Sequence, residues 1–141
     1  MIGVSEGTST CKATKHDGYD VIVGGGTFTD FSNHPHILVK LNDRLSSTAA
    51  GRYQLLGKYF DAYKVQLSLH DFSPASQDAI ALQQIKECHA LEDIEAGRFT
   101  SAVQRCAHIW ASLPGANYGQ HENKIEALKT AYTNAGGLYV A

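Results

Sequence analysis

Residues 18–31 read GYDVIVGGGTFTDF. Tyr19, Val21 and Val23 alternate with Asp20 and Ile22, the period-two pattern of a strand with one buried face. Gly24, Gly25 and Gly26 then offer the positive φ values that a tight reversal demands. Thr27 to Phe31 form the return, so the stretch predicts a β-hairpin. A glycine run can also cradle phosphate, but that use needs a helix N-terminus directly after it. Here a β-rich segment follows, and the run is no dinucleotide fingerprint.

The chain after this hairpin is first loop and then helix. In NHPHILVKLNDRLSSTAAG (33–51), Ile37 to Leu41 predicts a short strand and the rest reads as loop. Long loops in small domains often border sites. In YQLLGKYFDAYKVQL (53–67), Tyr53, Leu56, Phe60, Tyr63 and Leu67 form a helical stripe. FSPASQDAIALQQIKE (72–87) opens with Ser73 as N-cap and Pro74 at the first helical position. A short helix is expected over Leu91 to Ala96. FTSAVQRCAHIWASLPG (99–115) predicts a helix capped at Thr100 and stopped before Pro114 and Gly115. HENKIEALKTAYTNAGG (121–137) places Ile125, Leu128, Tyr132 and Ala135 on one face, with Gly136 and Gly137 as the stop. The expected class is α+β: a small β-hairpin lobe beside a helical lobe, with a cleft between them.

Composition narrows the function. The 141 residues suit a single domain spanning 1–141. Hydrophobic residues make up 43% and charged residues 18%, values of a globular chain. A net charge of −2 provides no basic footprint for nucleic acid. No run approaches the roughly 20 apolar residues of a membrane span, and no secretory signal opens the chain. The three cysteines, Cys11, Cys88 and Cys106, are too few and too scattered for a disulfide framework. Cys88 and Cys106 fall in predicted helices and read as small core residues; Cys11 reads as a loop thiol with nothing nearby to activate it.

Three chemistries can be weighed. His34 and His36, in the HPH of residues 34–36, have a spacing that zinc sites use, but further ligands are missing from the local sequence. Solvated loop histidines are the simpler reading, so neither a metal nor another cofactor is expected. Nucleophilic catalysis lacks a G-x-S-x-G elbow. Glycosidic cleavage needs a general acid beside the bridging oxygen, and a glutamate of raised pKa is the usual choice. Glu6, in GVSEGTS (3–9), is the candidate. Gly7 would cap a helix and leave Glu6 on its last turn; the plain alternative is an exposed glutamate near a terminus. Two more segments supply binding groups. AAGRYQLL (49–56) offers Tyr53 and Gln54 at the start of the predicted helix, and Gln54 can both donate to and accept from a sugar. SLPGANYGQ (112–120) presents Tyr118 on a Pro-Gly turn beside Asn117, an aromatic ring able to stack on a sugar face.

Taken in order, SEGT, GYDVIVGG, FTDFSNHP, STAAGRYQLL, FSPASQDAIALQQIKE and IWASLPGANYGQ resemble the lambda-type phage endolysins. The resemblance runs from Ser5 to about Gly137. The wider lytic transglycosylase pattern is similar too, with Glu6-Gly7, Gly51-Arg52-Tyr53-Gln54 and the Asn117-Tyr118 loop in its three slots. The resemblance implies a lysozyme-like fold and cleavage of the bond between N-acetylmuramic acid and N-acetylglucosamine in peptidoglycan. It implies that Glu6 acts first as acid and then as base, and that the product carries a 1,6-anhydromuramic end. It also implies a monomer that waits in the host cytoplasm and reaches the periplasm only after a holin opens the membrane. Neither nucleic acid nor membrane is expected as a partner; the glycan strands of peptidoglycan are.

Two alternatives stay open. A hydrolytic muramidase would pair Glu6 with a second carboxyl group, for which Asp17, Asp20 and Asp30 are the candidates. The Glu-x8-Asp-x5-Thr spacing of the other main phage lysozyme family is absent, because Lys15 stands nine residues after Glu6. A peptidoglycan-binding relic without activity is the other alternative. The family carries a longer helix ahead of its catalytic glutamate, whereas only MIGV precedes Ser5 here. Four residues cannot nucleate a helix alone, so the mounting of Glu6 is expected to be loose.

Overall fold

The computed structural model describes residues 1–115 and 123–141. Its elements are α1 (Ile2–Ser5), β1 (Val39–Lys40), β2 (Ser46–Ser47), α2 (Gly57–Gln66), α3 (Pro74–Glu87), α4 (Leu91–Glu95), α5 (Phe99–Cys106) and α6 (Ile125–Asn134). The class is α+β, as the sequence pattern predicts. The chain divides into two units: Glu6–Ala81, and Met1–Ser5 together with Leu82–Ala141.

In the unit Glu6–Ala81, the segment 18–31 reverses as expected but forms no extended hairpin ladder. Ile22 N–H donates to Gly26 O at 2.7 Å, Phe28 N–H to Asp20 O at 2.9 Å, and Val21 bridges Thr27. Gly24 and Gly25 take φ values of 90° and 98°, which admit the reversal. The other edge of Val21–Val23 is used as well. Val23 N–H donates to Ala49 O at 3.0 Å and Gly51 N–H to Val21 O at 2.8 Å. A web of single bridges therefore replaces one ladder, as befits a segment in which three glycines leave nothing to pack on the pleat. The regular two-stranded sheet lies instead in β1 and β2, antiparallel, with Val39 opposite Ser47 and Lys40 opposite Ser46. The first of these is legible in the Ile37–Leu41 run; the second falls where the sequence pattern reads as loop.

The core beneath these bridges gathers Ile22, Phe28, Ala50, Leu55, Phe60, Phe72 and Ile80. Phe60 and Phe72 pack edge to face with ring centroids 5.1 Å apart. His34 is buried against them. Its Nδ1 accepts the His36 N–H at 2.9 Å, so Nε2 carries the proton and donates to Leu55 O at 2.8 Å. His34 is therefore not the solvated loop histidine that the sequence suggests: burial, foremost, holds its imidazole below its ordinary pKa, and both nitrogens bond backbone groups. His36 turns outward to Asp61 at 3.0 Å.

Helix ends follow local chemistry where the signals are strong. Ser73 Oγ accepts the Ser76 N–H at 3.3 Å ahead of Pro74, the predicted cap of α3. Gly136 takes φ 94° and donates to Thr133 O at 2.9 Å, while Gly137 donates to Tyr132 O at 2.9 Å, which closes α6 in a Schellman motif. Elsewhere tertiary structure moves the limits. α5 starts at Phe99, not after Thr100, and ends at Cys106, well short of Pro114. Helix α1 does form, although four residues cannot sustain one alone. It packs against α6 in the unit to which both belong, and tertiary burial substitutes for nucleation. Cys88 and Cys106 are buried, and burial pushes the Cys106 thiol up to about 12, so it stays protonated.

Asp93 organises the same unit. Its carboxylate, almost fully buried, accepts from Ser101 Oγ at 2.5 Å, Arg98 Nε at 2.7 Å and Arg105 Nε at 2.8 Å, which joins α4 to α5. These donors, Ser101 first, draw its pKa from 3.8 down to about 2. The folded value lies below the unfolded one, so the stabilisation is complete above about pH 4 and is lost as pH falls towards 2. Asp93→Asn is expected to melt below the parent at neutral pH, with the gap narrowing as pH falls through that window. Melting curves of both proteins between pH 2 and 7 check this, and a gap independent of pH would refute it.

Candidate active site

The site is built on a helix end. Ser5 closes α1, and Glu6 follows in a turn, half-buried. Gly7 takes φ 76°, the left-handed conformation that ends a helix without a Cβ penalty. Thr8 is buried, and its Oγ1 donates to Arg52 O at 2.6 Å. That bond crosses 44 residues and draws two sequence-predicted segments, the one with Glu6 and the one with Tyr53 and Gln54, into one neighbourhood. Gly18, at φ 88°, lies so close behind that a Cβ there would stand 2.8 Å from the Thr8 carbonyl carbon.

Tyr53 and Gln54 are not on a helix, contrary to the stripe reading. Ala50 and Leu55 pair with each other through bonds of 3.0 and 2.9 Å, and the four residues between them form a turn. Gly51 at φ 83° and Gln54 at φ 53° make that turn, and α2 begins only at Gly57. The Gln54 amide nitrogen donates to Gly51 O at 2.9 Å and to Val21 O at 3.3 Å. This fixes which end of the amide faces inward, because carbonyl oxygens only accept. Tyr53 donates its hydroxyl to Asp78 at 2.6 Å, and Tyr19 donates to the same oxygen at 2.8 Å. Burial, followed by Asp78 and Tyr19, raises the Tyr53 phenol well above its ordinary value, so it remains a donor at every working pH. Asn117 and Tyr118, the other predicted binding residues, lie outside the described residues.

Sequence reading missed Gln77. It stands on α3, buried, and holds the turn from beneath. Its Oε1 accepts the Arg52 N–H at 2.9 Å, while its Nε2 donates to Phe72 O at 2.9 Å and Tyr19 O at 3.1 Å. A Cβ on Gly51 would collide with that Oε1. The signal was present, since Gln77 and Gln84 occupy the buried stripe of α3 with Ile80, and a polar group on such a stripe needs partners.

The three candidate second carboxylates are all engaged. Asp20 is buried. Burial pushes its carboxyl up, but donation from the Thr14 hydroxyl and from Lys15 N–H, at 3.0 Å, outweighs burial and holds it below the usual range. Asp17 is exposed and pairs with Arg52 Nη1 at 2.8 Å. Asp30 is exposed and accepts the Ser32 N–H at 2.9 Å, bonds that lower its pKa.

The family profile described as endolysin matches residues 1–139. The endolysin of Escherichia phage lambda is 57% identical over 138 residues, which cover 97% of this chain and 87% of that relative. This chain belongs to the endolysin family. The endolysin of Escherichia phage P2 is 50% identical over 148 residues, covering 98% of this chain and 90% of that one. A solved structure of bacteriophage lambda lysozyme complexed with a chitohexasaccharide superposes with a TM-score of 0.95 at 56% identity. That match covers 99% of this chain and 91% of the other. Endolysins are enzymes that degrade peptidoglycan in host-cell lysis, and this endolysin shares the lysozyme-like α+β fold of its solved relative.

Proposed function

We propose that this endolysin cleaves the MurNAc–GlcNAc bond of peptidoglycan as a lytic transglycosylase, with Glu6 as its acid and base. The Glu6 carboxyl gives its proton to the bridging oxygen, and the bond from that oxygen to the muramic anomeric carbon breaks. The substrate acetamido group steadies the oxocarbenium-like centre. The Glu6 carboxylate then takes the proton of the muramic C6 hydroxyl, whose oxygen closes on the anomeric carbon. No water is consumed, and the product ends in 1,6-anhydro-MurNAc.

The observation that carries this reading is the engagement of Asp17, Asp20 and Asp30. A hydrolytic glycosidase places a second carboxylate across the sugar from its acid. Here one candidate is buried under two donors, one is paired with arginine and one caps a turn. Tyr53, Gln54, Asn117 and Tyr118 would line the glycan. The hexasaccharide in the lambda relative supports glycan-strand binding by this chain as well. We take residues 1–141 as one catalytic domain acting as a monomer. We take its release to the periplasm to follow a holin lesion; separately, among the described residues no helix is long and apolar enough to cross a membrane.

Digestion of purified peptidoglycan in heavy-oxygen water tests the reaction. The expected muropeptides carry anhydro ends without label. Labelled reducing ends would make the enzyme a hydrolase and return attention to its aspartates.

A further inference from the structure

The acid proposed above needs a fixed departure point, and the structure holds the backbone on both sides of it. On the far side Thr8 is bonded to Arg52. On the near side stands Asn123. Its amide nitrogen donates to Ser5 O at 2.9 Å and to Ser112 O at 3.2 Å, and lies 3.2 Å from Ser5 Oγ. Ser5 Oγ in turn lies 2.8 Å from Ser112 Oγ, and Asn123 N–H donates to Ser112 O at 3.0 Å. Two carbonyl oxygens face the amide, and carbonyls cannot donate, so the nitrogen end must point at them.

The consequence for Glu6 follows from peptide geometry. The Ser5 carbonyl and the Glu6 nitrogen share one rigid plane. A donor that fixes the direction of that carbonyl also fixes the bond by which Glu6 enters its turn. The Ser5 carbonyl is moreover one of the orphan acceptors at the end of α1, which a helix this short leaves for an outside donor. Ser5 is buried, so water is a poor substitute. We infer that Asn123 is a positioning residue of the reaction: its side-chain amide aims Glu6 by holding the peptide plane between Ser5 and Glu6. This rests on the assignment of Glu6 as the acid.

Steady-state kinetics on soluble glycan strands test it, with Asn123→Ala, Asn123→Asp and Asn123→His. Asparagine and aspartate share a shape, but a carboxylate cannot donate. The histidine Nδ1–H reaches about as far as the asparagine amide and can. The Ala and Asp variants are expected to lose about 10- to 100-fold in kcat, the scale of a misplaced catalytic group, with KM within about twofold of the parent. The His variant is expected to recover most of the loss. The basic limb of the Ala variant's pH profile moves to lower pH, as its carboxyl becomes better solvated. Should the Ala variant fail to fold, the Asp and His pair decides. Equal kcat in Asn123→Asp and the parent enzyme, or a His variant no better than the Ala variant, overturns the inference. A loss confined to melting temperature and KM does so too. Glu6→Gln is measured beside them: if it still cleaves, the assignment of Glu6 itself has failed, whatever Asn123 does.

Discussion

Glu6→Gln is expected to abolish lysis, with a fall of about 1,000-fold or more in turnover at every pH. A positioned acid or base contributes roughly 100- to 10,000-fold, and in the proposed reaction one carboxyl group performs both duties. Glutamine keeps the length and shape of the side chain but can neither yield a proton to the bridging oxygen nor accept one from the C6 hydroxyl. The fold should tolerate the change, because Glu6 is half-buried at a helix end and the helix stop is made by Gly7 at φ 76°. Clearing of permeabilised cells, followed with melting curves of the same preparations, checks both halves. Asp17→Asn and Asp30→Asn, which alter exposed carboxylates with local partners, serve as contrasts and should clear cells at near-parental rates. Lysis by Glu6→Gln at even a tenth of the parental rate would refute the role, and lysis lost equally in Asp30→Asn would point to hydrolysis.

The legible parts of this protein are those written in consecutive residues. Glu6 followed by glycine reads as a helix stop because the conformational preference of glycine is local, and the structure puts Gly7 in the left-handed region. Ser73-Pro74 and Gly136-Gly137 are legible for the same reason. The turn carrying Tyr53 and Gln54 reads as helix because its apolar spacing fits one, while what decides it is remote. Val21 takes the Gly51 N–H, and Gln77 takes the Arg52 N–H, from 30 and 25 residues away in sequence. A stripe count cannot register either bond. Short α1 is underrated on the same ground, since it packs against α6 and is bonded at Ser5 to Ser112 and Asn123, all more than a hundred residues later. Gln77 is legible only as a polar group on the buried stripe of α3, and Asn123 not at all, because tertiary structure decides which backbone groups each amide faces.

Gln77→Leu is the second large effect expected. The substitution keeps the volume of a buried side chain and removes three bonds at once. The Arg52 N–H and the carbonyls of Tyr19 and Phe72 would lose their partner, and a buried polar group left unpaired costs roughly 1–3 kcal/mol. Even with partial relief by water, the total is about 3 kcal/mol, which for a chain of this size lowers the melting temperature by roughly 10 °C. Activity should fall further than stability alone explains. The same bonds hold the turn of Gly51–Gln54, and Thr8 is bonded to the Arg52 carbonyl in that turn, two residues from Glu6. A displacement of about 1 Å there costs on the order of 100-fold in rate. Gln77→Glu separates the two donor bonds from the acceptor bond. Its carboxylate still accepts the Arg52 N–H, yet faces two carbonyls it cannot donate to. Burial raises such a carboxyl's pKa in the fold, so protonation is bound more tightly there than in the unfolded chain. The stability deficit of Gln77→Glu should therefore shrink as pH falls towards 4, whereas that of Gln77→Leu should not. Melting curves at pH 4 to 8, with turnover measured well below each variant's melting temperature, distinguish these outcomes. A Gln77→Leu enzyme that melts and turns over like its parent would mean that the turn is held from above, by Val21 and Thr8, and that α3 merely lies beneath it.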